Sequence, residues 1–485
     1  MTYLPRPGTI PTLDVPDITS WCRVHLIGMG GAGMSGVARI LLARGVVVSG
    51  SDLKASPALD GLRQAGAEVF VGHRPEQIPE RPDAVVVSSA IPNSNPELRH
   101  ARDTGVVVVT RAQVLAALMR GSTGVAVAGT HGKTTTTSMI SVMLSRAGLD
   151  PTFVIGGELN ESGSGAGHGD GDVFVAEADE SDGSFLLLEP TVSVITNIEQ
   201  DHLDFYSGQE ELQAAFRAFA ERAGTVVACW DDPGVCAAME GFTGSLVRYG
   251  SAQGADGIRL DFAVEEIDVG PGGTTATVRA GGTAVHFSLA VPGRHNVLNA
   301  TAALAVGVHA GISMDEAAAA LGSFSGVRRR FERRGEGRGA TFVDDYAHHP
   351  TEVVATLEAA RIAGASKPRI VAVFQPHRYT RTEAMWRELG ESLAGADVVV
   401  LTDVYAAGEQ PIPGITGKLL VDALAEVAPG KRVVYLPRRS DVASFLAGEV
   451  RAGDLVLTLG AGDITMVGEE TLRRITESDA TRVAP

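Results

Sequence analysis

The run Ala128-Gly-Thr-His-Gly-Lys-Thr-Thr-Thr-Thr137 constrains this chain more than any other stretch. Before it stands Gly124-Val-Ala-Val127, an apolar run that reads as a buried strand. After it comes Ser138-Met-Ile-Ser-Val-Met-Leu-Ser145, which has helical periodicity. Strand, Gly-rich turn and helix in that order form a phosphate cradle, in which backbone N–H groups and the positive helix end face an anion. Gly129, Thr130, His131, Gly132 and Thr135 belong to this loop. Lys133 has the length to reach the outer phosphates, and the Thr134 hydroxyl can ligate Mg²⁺. The common G-x-x-x-x-G-K-[ST] pattern is not met, because Val127 and Ala128 stand where it would have its first Gly. The physical parts of the cradle are nevertheless all present.

With 485 residues the chain exceeds a single core; at ~100–200 residues per domain it holds two to four. A net charge of −17 excludes a generally basic face for nucleic acid or anionic lipid, while leaving room for local phosphate pockets. Cys22, Cys229 and Cys236 are too few for a disulfide framework and have no metal-ligand spacing, which points to a reducing cytoplasm. Pro5, Pro7, Pro11 and Pro16 punctuate the first twenty residues, which lack the apolar core of a signal peptide and read as a flexible arm. No run approaches the ~18 apolar residues of a membrane span, so no membrane insertion is expected.

Short apolar strands alternate with helical patterns along three successive α/β units. The first, 21–120, has strands at Val24–Ile27, Val46–Val48, Glu68–Val71, Ala84–Val87 and Val106–Val109 and reads as Rossmann-like. The second, 121–326, is the P-loop-type unit, with further strands at Val173–Ala176 and Val192–Thr196. A small antiparallel patch follows at Thr274–Val278 and Ala284–Leu289, then a helix over Val297–His309. The third, 327–485, is again Rossmann-like, with strands at Thr341–Asp344, Arg369–Phe374, Asp397–Leu401 and Asp454–Thr458. The expected fold is three domains in series, each with a mostly parallel sheet.

Several further runs sit where such sheets build sites, beyond the carboxyl ends of strands. Gly28-Met-Gly-Gly-Ala-Gly33 fits G-x-G-x-x-G, with Asp52 ending the second strand. From spacing alone this reads as dinucleotide binding, but its physical target is a pyrophosphate, which UDP also carries. The loop Ser88-Ser-Ala-Ile91, containing Ser89, ends a strand at the same edge, as a site wall or an ordinary turn. Glu177 closes a buried strand and offers Mg²⁺ a hard oxygen; Asp179, Glu180 and Asp182 after it could be a solvated acidic loop. His202, in Asn197-Ile-Glu-Gln-Asp-His-Leu-Asp204, can offer a neutral imidazole to a second metal. Asn296 and Asn299 can read a base edge, or Asn296 can cap its helix. Arg378 and Arg381 could hold a carboxylate or be a surface pair.

Gly-Thr-His-Gly-Lys-Thr-Thr resembles the ATP loop of the Mur ligases and of the related folylpolyglutamate synthetases, which join a carboxylate to an amine at the expense of ATP. The string His25-Leu-Ile-Gly-Met-Gly-Gly-Ala-Gly-Met-Ser-Gly36 with Gly50-Ser-Asp52 resembles a Mur ligase UDP-sugar domain. Matching motifs run in order from His25 to Glu409. The resemblance implies that Gly28, Gly30, Gly31, Gly33, Met34, Ser35, Asp52 and Ser89 line the UDP-sugar site. It implies metal ligation by Thr134, Glu177 and His202, with adenine near Asn296 and Asn299, Arg330 on phosphate and Asp345 on the ATP ribose. His348 would approach the transferring phosphate and, with Lys133 and Mg²⁺, neutralise charge. Tyr346, His377, Arg378 and Arg381 would surround the amino acid.

Most members beyond the alanine-adding step carry a carbamoylated Lys soon after the metal His; here no Lys occurs between Lys133 and Lys367. The resemblance therefore points to the alanine-adding branch, with ATP, Mg²⁺, UDP-N-acetylmuramate and L-alanine as reactants and an acyl phosphate between. A peptide-joining recycling ligase is the nearest rival. The Gly28–Gly33 turn alone would also suit a nicotinamide dehydrogenase, and the ATP loop alone a nucleotide-gated regulator.

Overall fold

The computed structural model describes residues 15–202, 205–251, 258–270, 272–363 and 368–483. The expected arm at 1–14 and the last two residues of the Asn197–Asp204 run lie outside them. Residues 15–20 do not hang free: Val15 and Ile18 pack against the first core, and Arg120 Nη1 donates to the Val15 carbonyl at 2.9 Å.

Three sheets follow in series. The first has the order Glu68–Val71, Val47–Asp52, Arg23–Ile27, Ala84–Val87, Val108–Thr110, all parallel. The strand expected from Val106 starts two residues later, and Val107 is exposed. The chain leaves the central strand Arg23–Ile27 and returns to both sides of it, which opens a crevice above that strand, where Gly28–Gly33 lies.

The second sheet has ten strands, five more than the three strands and two-strand patch expected from the sequence. Its order is Thr283–Leu289, Gly273–Ala280, Phe262–Gly270, Ser245–Ser251, Thr225–Cys229, Val192–Ile195, Thr123–Ala128, Val173–Glu177, Thr152–Val154, Ala166–Gly167. Pairing is parallel except at the two ends, where Gly273–Ala280 joins its neighbours antiparallel and Ala166–Gly167 joins Thr152–Val154 likewise. Phe262–Gly270 escaped notice because Glu265, Glu266 and Asp268 break its apolar alternation. The third sheet runs Glu332–Gly337, Ala340–Asp345, Asp454–Leu459, Arg369–Phe374, Val398–Leu401, Arg432–Tyr435, with only the first pair antiparallel. Glu-Arg-Arg-Gly-Glu-Gly carries no apolar signal, and it forms an edge strand, where charge is tolerated.

The phosphate strand Thr123–Ala128 lies between Val192–Ile195 and Val173–Glu177, parallel to both. The loops that leave these three strands therefore meet at one edge. The helix Lys133–Arg146 is buried along most of its length despite its Thr and Ser residues. It packs on the helix Arg294–His309 and thereby brings Asn299 onto the loop: a Cβ on Gly132 would lie 2.8 Å from Asn299 Oδ1.

Gly129, with φ of +141°, marks the tightest approach: a Cβ there would meet Thr196 Oγ1 at 2.0 Å and the Asn197 backbone at 3.1 Å. Gly129→Ala should leave the circular dichroism spectrum intact while weakening ADP binding by about 10–100-fold, the equivalent of about 1–3 kcal/mol of local strain. Calorimetry with ADP checks this; unchanged affinity would show that the loop has room to shift.

Candidate functional site

An open cleft of about 890 Å³ separates the second domain from the third. His131, Gly132, Thr135, Asn296 and Asn299 line it from one side, Arg330 and Asp345 from the other. Residues more than two hundred positions apart thus face each other across one cleft. Asn296 does not cap its helix: the N-cap is Gly293, without a side-chain cap, and Asn296 Nδ2 instead donates back to the Pro292 carbonyl at 2.7 Å. Asp345 accepts from the Phe331 and Ala347 backbone N–H groups at 2.7 and 2.8 Å. Burial pushes its carboxyl up to about 6, against the pull of Arg330.

The phosphate loop is pinned from below. Thr196 Oγ1 and Asn197 Nδ2 donate to the His131 carbonyl at 2.6 and 3.0 Å, and the His131 N–H donates to Asn197 Oδ1 at 2.7 Å. Lys133 Nζ donates to the carbonyls of Gly129 and Thr130 and to Glu180. Burial acts to lower the Lys133 ammonium, but Glu180, Asp179 and Glu177 outweigh it and hold the pKa above its usual value. Glu180 is therefore no member of a solvated acidic loop: it is only 1% exposed and joins Lys133 to His202, whose Nε2 lies 3.4 Å away.

Glu177 faces the Thr134 hydroxyl at 3.1 Å, and its other oxygen accepts from the Gly156 N–H at 2.7 Å. Two hard oxygen donors side by side at the mouth of a phosphate loop fit Mg²⁺, which prefers oxygen and shares its shell with substrate phosphates. His202 turns to Glu180 and Asp201, and they hold its pKa above the usual value although burial opposes this.

The histidines divide differently from the expectation. His348 is buried, which pushes its pKa down to about 3 although Glu352 pulls the other way; Nδ1 sits 3.0 Å from the Tyr346 carbonyl. A neutral ring can hydrogen-bond a phosphate but brings no charge to it. The charged ring is His131. Burial lowers its pKa, but Glu199 on Nε2 and Glu352 on Nδ1, each at 3.3 Å, raise it to about 9. Glu180, Glu199 and Glu352 were all missed as site residues. Glu180 and Glu199 stood inside runs already singled out, whereas Glu352 lay in a helix with no marking motif.

Next to the nucleotide cleft, Asp201, His202, Arg378 and Arg381 line a smaller recess of about 300 Å³. Arg381 is buried and paired with Asp201 at 3.1 Å across the domain boundary. Arg378 donates to Glu409 at 2.6 Å. Neither is a plain surface residue. Tyr346 lies under the guanidinium groups of Arg329 and Arg330, and His377 bridges the rings of His348 and Tyr405.

In the first domain, the Gly28 and Met29 N–H groups donate to the Ser51 carbonyl, and the Gly30 N–H donates to Asp52 Oδ2 at 2.9 Å. Gly28 lies against Ile91 and Ser88, so the Ser88–Ile91 loop borders the turn, with Ser89 exposed. Gly31 is the N-cap of the helix that begins next, and Gly33 lies against the Arg111 side chain. The Met34 side chain is buried in the core, so only its backbone can serve a ligand; the Ser35 N–H is spent on the Gly31 carbonyl. Arg111 was not anticipated. It follows the strand Val108–Thr110 at the same edge and also reaches Asp179 of the second domain at 3.9 Å.

Three family profiles match in order: "Mur ligase family, catalytic domain" over 23–123, "Mur ligase middle domain" over 127–307 and "Mur ligase, glutamate ligase domain" over 329–462. UDP-N-acetylmuramate–L-alanine ligase of Kineococcus radiotolerans is 51% identical over 465 residues, covering 94% of this chain and 96% of that protein. The ligase of the same name from Mycolicibacterium gilvum is 49% identical, covering 97% and 98%. Among solved structures, UDP-N-acetylmuramate-alanine ligase MurC of Thermotoga maritima superimposes with a TM-score of 0.80 at 29% identity, covering 94% of this chain and 99% of that one. A murein peptide ligase of Psychrobacter arcticus gives 0.70 at 25% identity, covering 94% and 98%. The chain belongs to the Mur ligase family.

Proposed function

We propose that the protein joins L-alanine to the lactyl carboxylate of UDP-N-acetylmuramate, using ATP, in the cytoplasmic synthesis of peptidoglycan precursors. The observation that carries this reading is the two-domain cleft, in which a phosphate loop from the second domain faces Arg330 and Asp345 of the third, with an Arg-lined recess beside it. The alanine-ligase name of full-length relatives near 50% identity agrees with it. Among the described residues, no helix is long and apolar enough to cross a membrane.

The chemistry follows in two steps. A carboxylate oxygen of the UDP sugar attacks the γ-phosphorus of ATP, and the bond to ADP breaks, leaving an acyl phosphate. The alanine amine then attacks the carbonyl carbon, and inorganic phosphate leaves. The first step needs positioning and charge compensation more than covalent help from the protein. Lys133 and the His131 imidazolium supply positive charge from the loop, and Arg330 supplies it from the opposite wall. Thr134, Glu177 and His202 would hold Mg²⁺, which would offset phosphate charge. Asn296 and Asn299 are assigned to adenine and Asp345 to ribose. Gly28–Gly33, with Asp52 and Ser89, is assigned to the UDP sugar, and Arg111 adds a cation there.

Arg378 is assigned to the alanine carboxylate, because a planar guanidinium fits a carboxylate in two-point contact. Its partner Glu409 would give way to the substrate carboxylate. Arg381 is committed to Asp201 and serves closure. Full-length relatives named as alanine ligases are about half identical to this chain, against 25% for the murein peptide ligase structure, which favours this reading over peptide recycling.

Phosphate release that requires both UDP-N-acetylmuramate and L-alanine tests the activity; ATP turnover indifferent to either would reject it. Lys133→Ala should lower kcat by about 10²–10³, as for removal of one preorganised charge donor, and near-normal turnover would remove Lys133 from the reaction. Arg378→Ala should raise the KM for L-alanine far more than that for ATP in steady-state assays; equal shifts would argue for a structural role. Depleting bicarbonate should leave the rate unchanged, since no Lys between Lys133 and Lys367 is available for carbamoylation. A bicarbonate-dependent rate would contradict that.

A further inference from the structure

Among the described residues, two imidazoles and a carboxylate converge closely enough to share a metal ion outside the oxygen-rich Thr134–Glu177 pair. His131 Nε2 lies 3.3 Å from Glu199 Oε2, and His349 Nδ1 lies 3.7 Å from the same oxygen. All three ligand atoms fall within 4.8 Å of one another. A tetrahedral ion with bonds of 2.0–2.1 Å separates its ligand atoms by about 3.3–3.4 Å. The cluster is thus near the spacing a small ion imposes.

We propose that His131, Glu199 and His349 form a site for a zinc-class divalent cation that clips the second domain to the third. His131 and Glu199 come from loops of the second domain, and His349 comes from the loop after Ala340–Asp345 in the third. The site exists only when the two domains are together.

The surroundings are those of a metal site rather than of a chance contact. The second ring nitrogen of His131 is held by Glu352 at 3.3 Å, the carboxylate–histidine support that orients metal-bound imidazoles. The Thr351 hydroxyl donates to Glu199 Oε2 at 2.6 Å and fixes that carboxylate. His349 Nδ1 accepts only a long contact, 3.4 Å, from the Thr351 N–H, a weak bond that an ion could displace. Burial and the neighbouring His131 keep the His349 ring neutral, the form that ligates. At His131 the ion would replace the proton now shared with Glu199. Both the nucleotide cleft and a second open groove, lined by Glu199, His349 and Thr351, reach the cluster, which gives an ion a way in and leaves room for a water as fourth ligand.

Imidazole donors select the class. They suit zinc, cobalt, nickel and copper, whereas Mg²⁺ prefers an octahedron of oxygens. The clip and the Thr134–Glu177 pair are therefore distinguishable by ion. Fixing the domains together would oppose the opening that admits substrates and releases product, so bound Zn²⁺ is expected to inhibit turnover.

The test uses the full chain in saturating Mg²⁺, without nucleotide. Calorimetric titration with Zn²⁺ should show one strong site. Co²⁺ should give the intense visible bands of a tetrahedral ion, without the charge-transfer absorption of a thiolate. His349→Ala and Glu199→Gln should each weaken Zn²⁺ binding by about 10–100-fold or more, the range seen even when only supporting residues of a metal site are lost. Either variant suffices if the other fails to fold. Small-angle scattering should show Zn²⁺ compacting the parent protein but neither variant. Equal Zn²⁺ affinity in parent and variants, a cobalt–thiolate spectrum, or binding without compaction would each overturn the proposal.

Discussion

The site depends on the phosphate loop being held from two directions at once. From within its own domain, Thr196 and Asn197 grip the His131 backbone, because the strand that ends at Ile195 lies directly beside the strand that ends at Ala128. From the third domain, Glu352 takes the His131 side chain, and Thr351 takes Glu199. One residue of the loop is thus tied by its main chain to one domain and by its ring to another. Both ties are present together in this structure.

The ligand-free cleft is already electrostatically balanced. Lys133 is matched by Glu180, His131 by Glu199 and Glu352, Arg381 by Asp201 and Arg378 by Glu409. Buried charges without partners would cost several kcal/mol each, so a cleft built for anions stores its cations against its own carboxylates. In the proposed reaction, an incoming phosphate or amino-acid carboxylate would exchange one partner for another. This explains how a chain of net charge −17 can present an anion site at all. Glu180 helps to keep Lys133 charged.

Much of the architecture was legible along the chain. Three α/β units, the phosphate cradle and the glycine turn of the first domain follow from local pattern, since apolar runs of strand length between helical stretches admit few alternatives. What escaped were elements whose stability comes from neighbours. Glu332–Gly337 is a strand because Ala340–Asp345 pairs with it, and Phe262–Gly270 because strands flank it on both sides. The site shows the same divide. Lys133, Glu177, Asn299 and Asp345 could be picked out from motifs, whereas Glu352 and Arg111 carry no local mark and matter only through what they reach.

The sequence by itself determined that a strand, a glycine turn and a helix would form an anion cradle, because backbone geometry and helix dipoles are local properties. It also determined that no lysine would be available for carbamoylation in the middle of the chain. Only the tertiary structure decided which histidine carries charge. His131, His348 and His349 are chemically identical in the sequence, and a pKa is set by burial and by the charges within a few ångströms. Two carboxylates around His131 leave it an imidazolium, while enclosure leaves His348 neutral. Those neighbours come from strands and helices far apart in the chain, so their influence exists only after the domains have met.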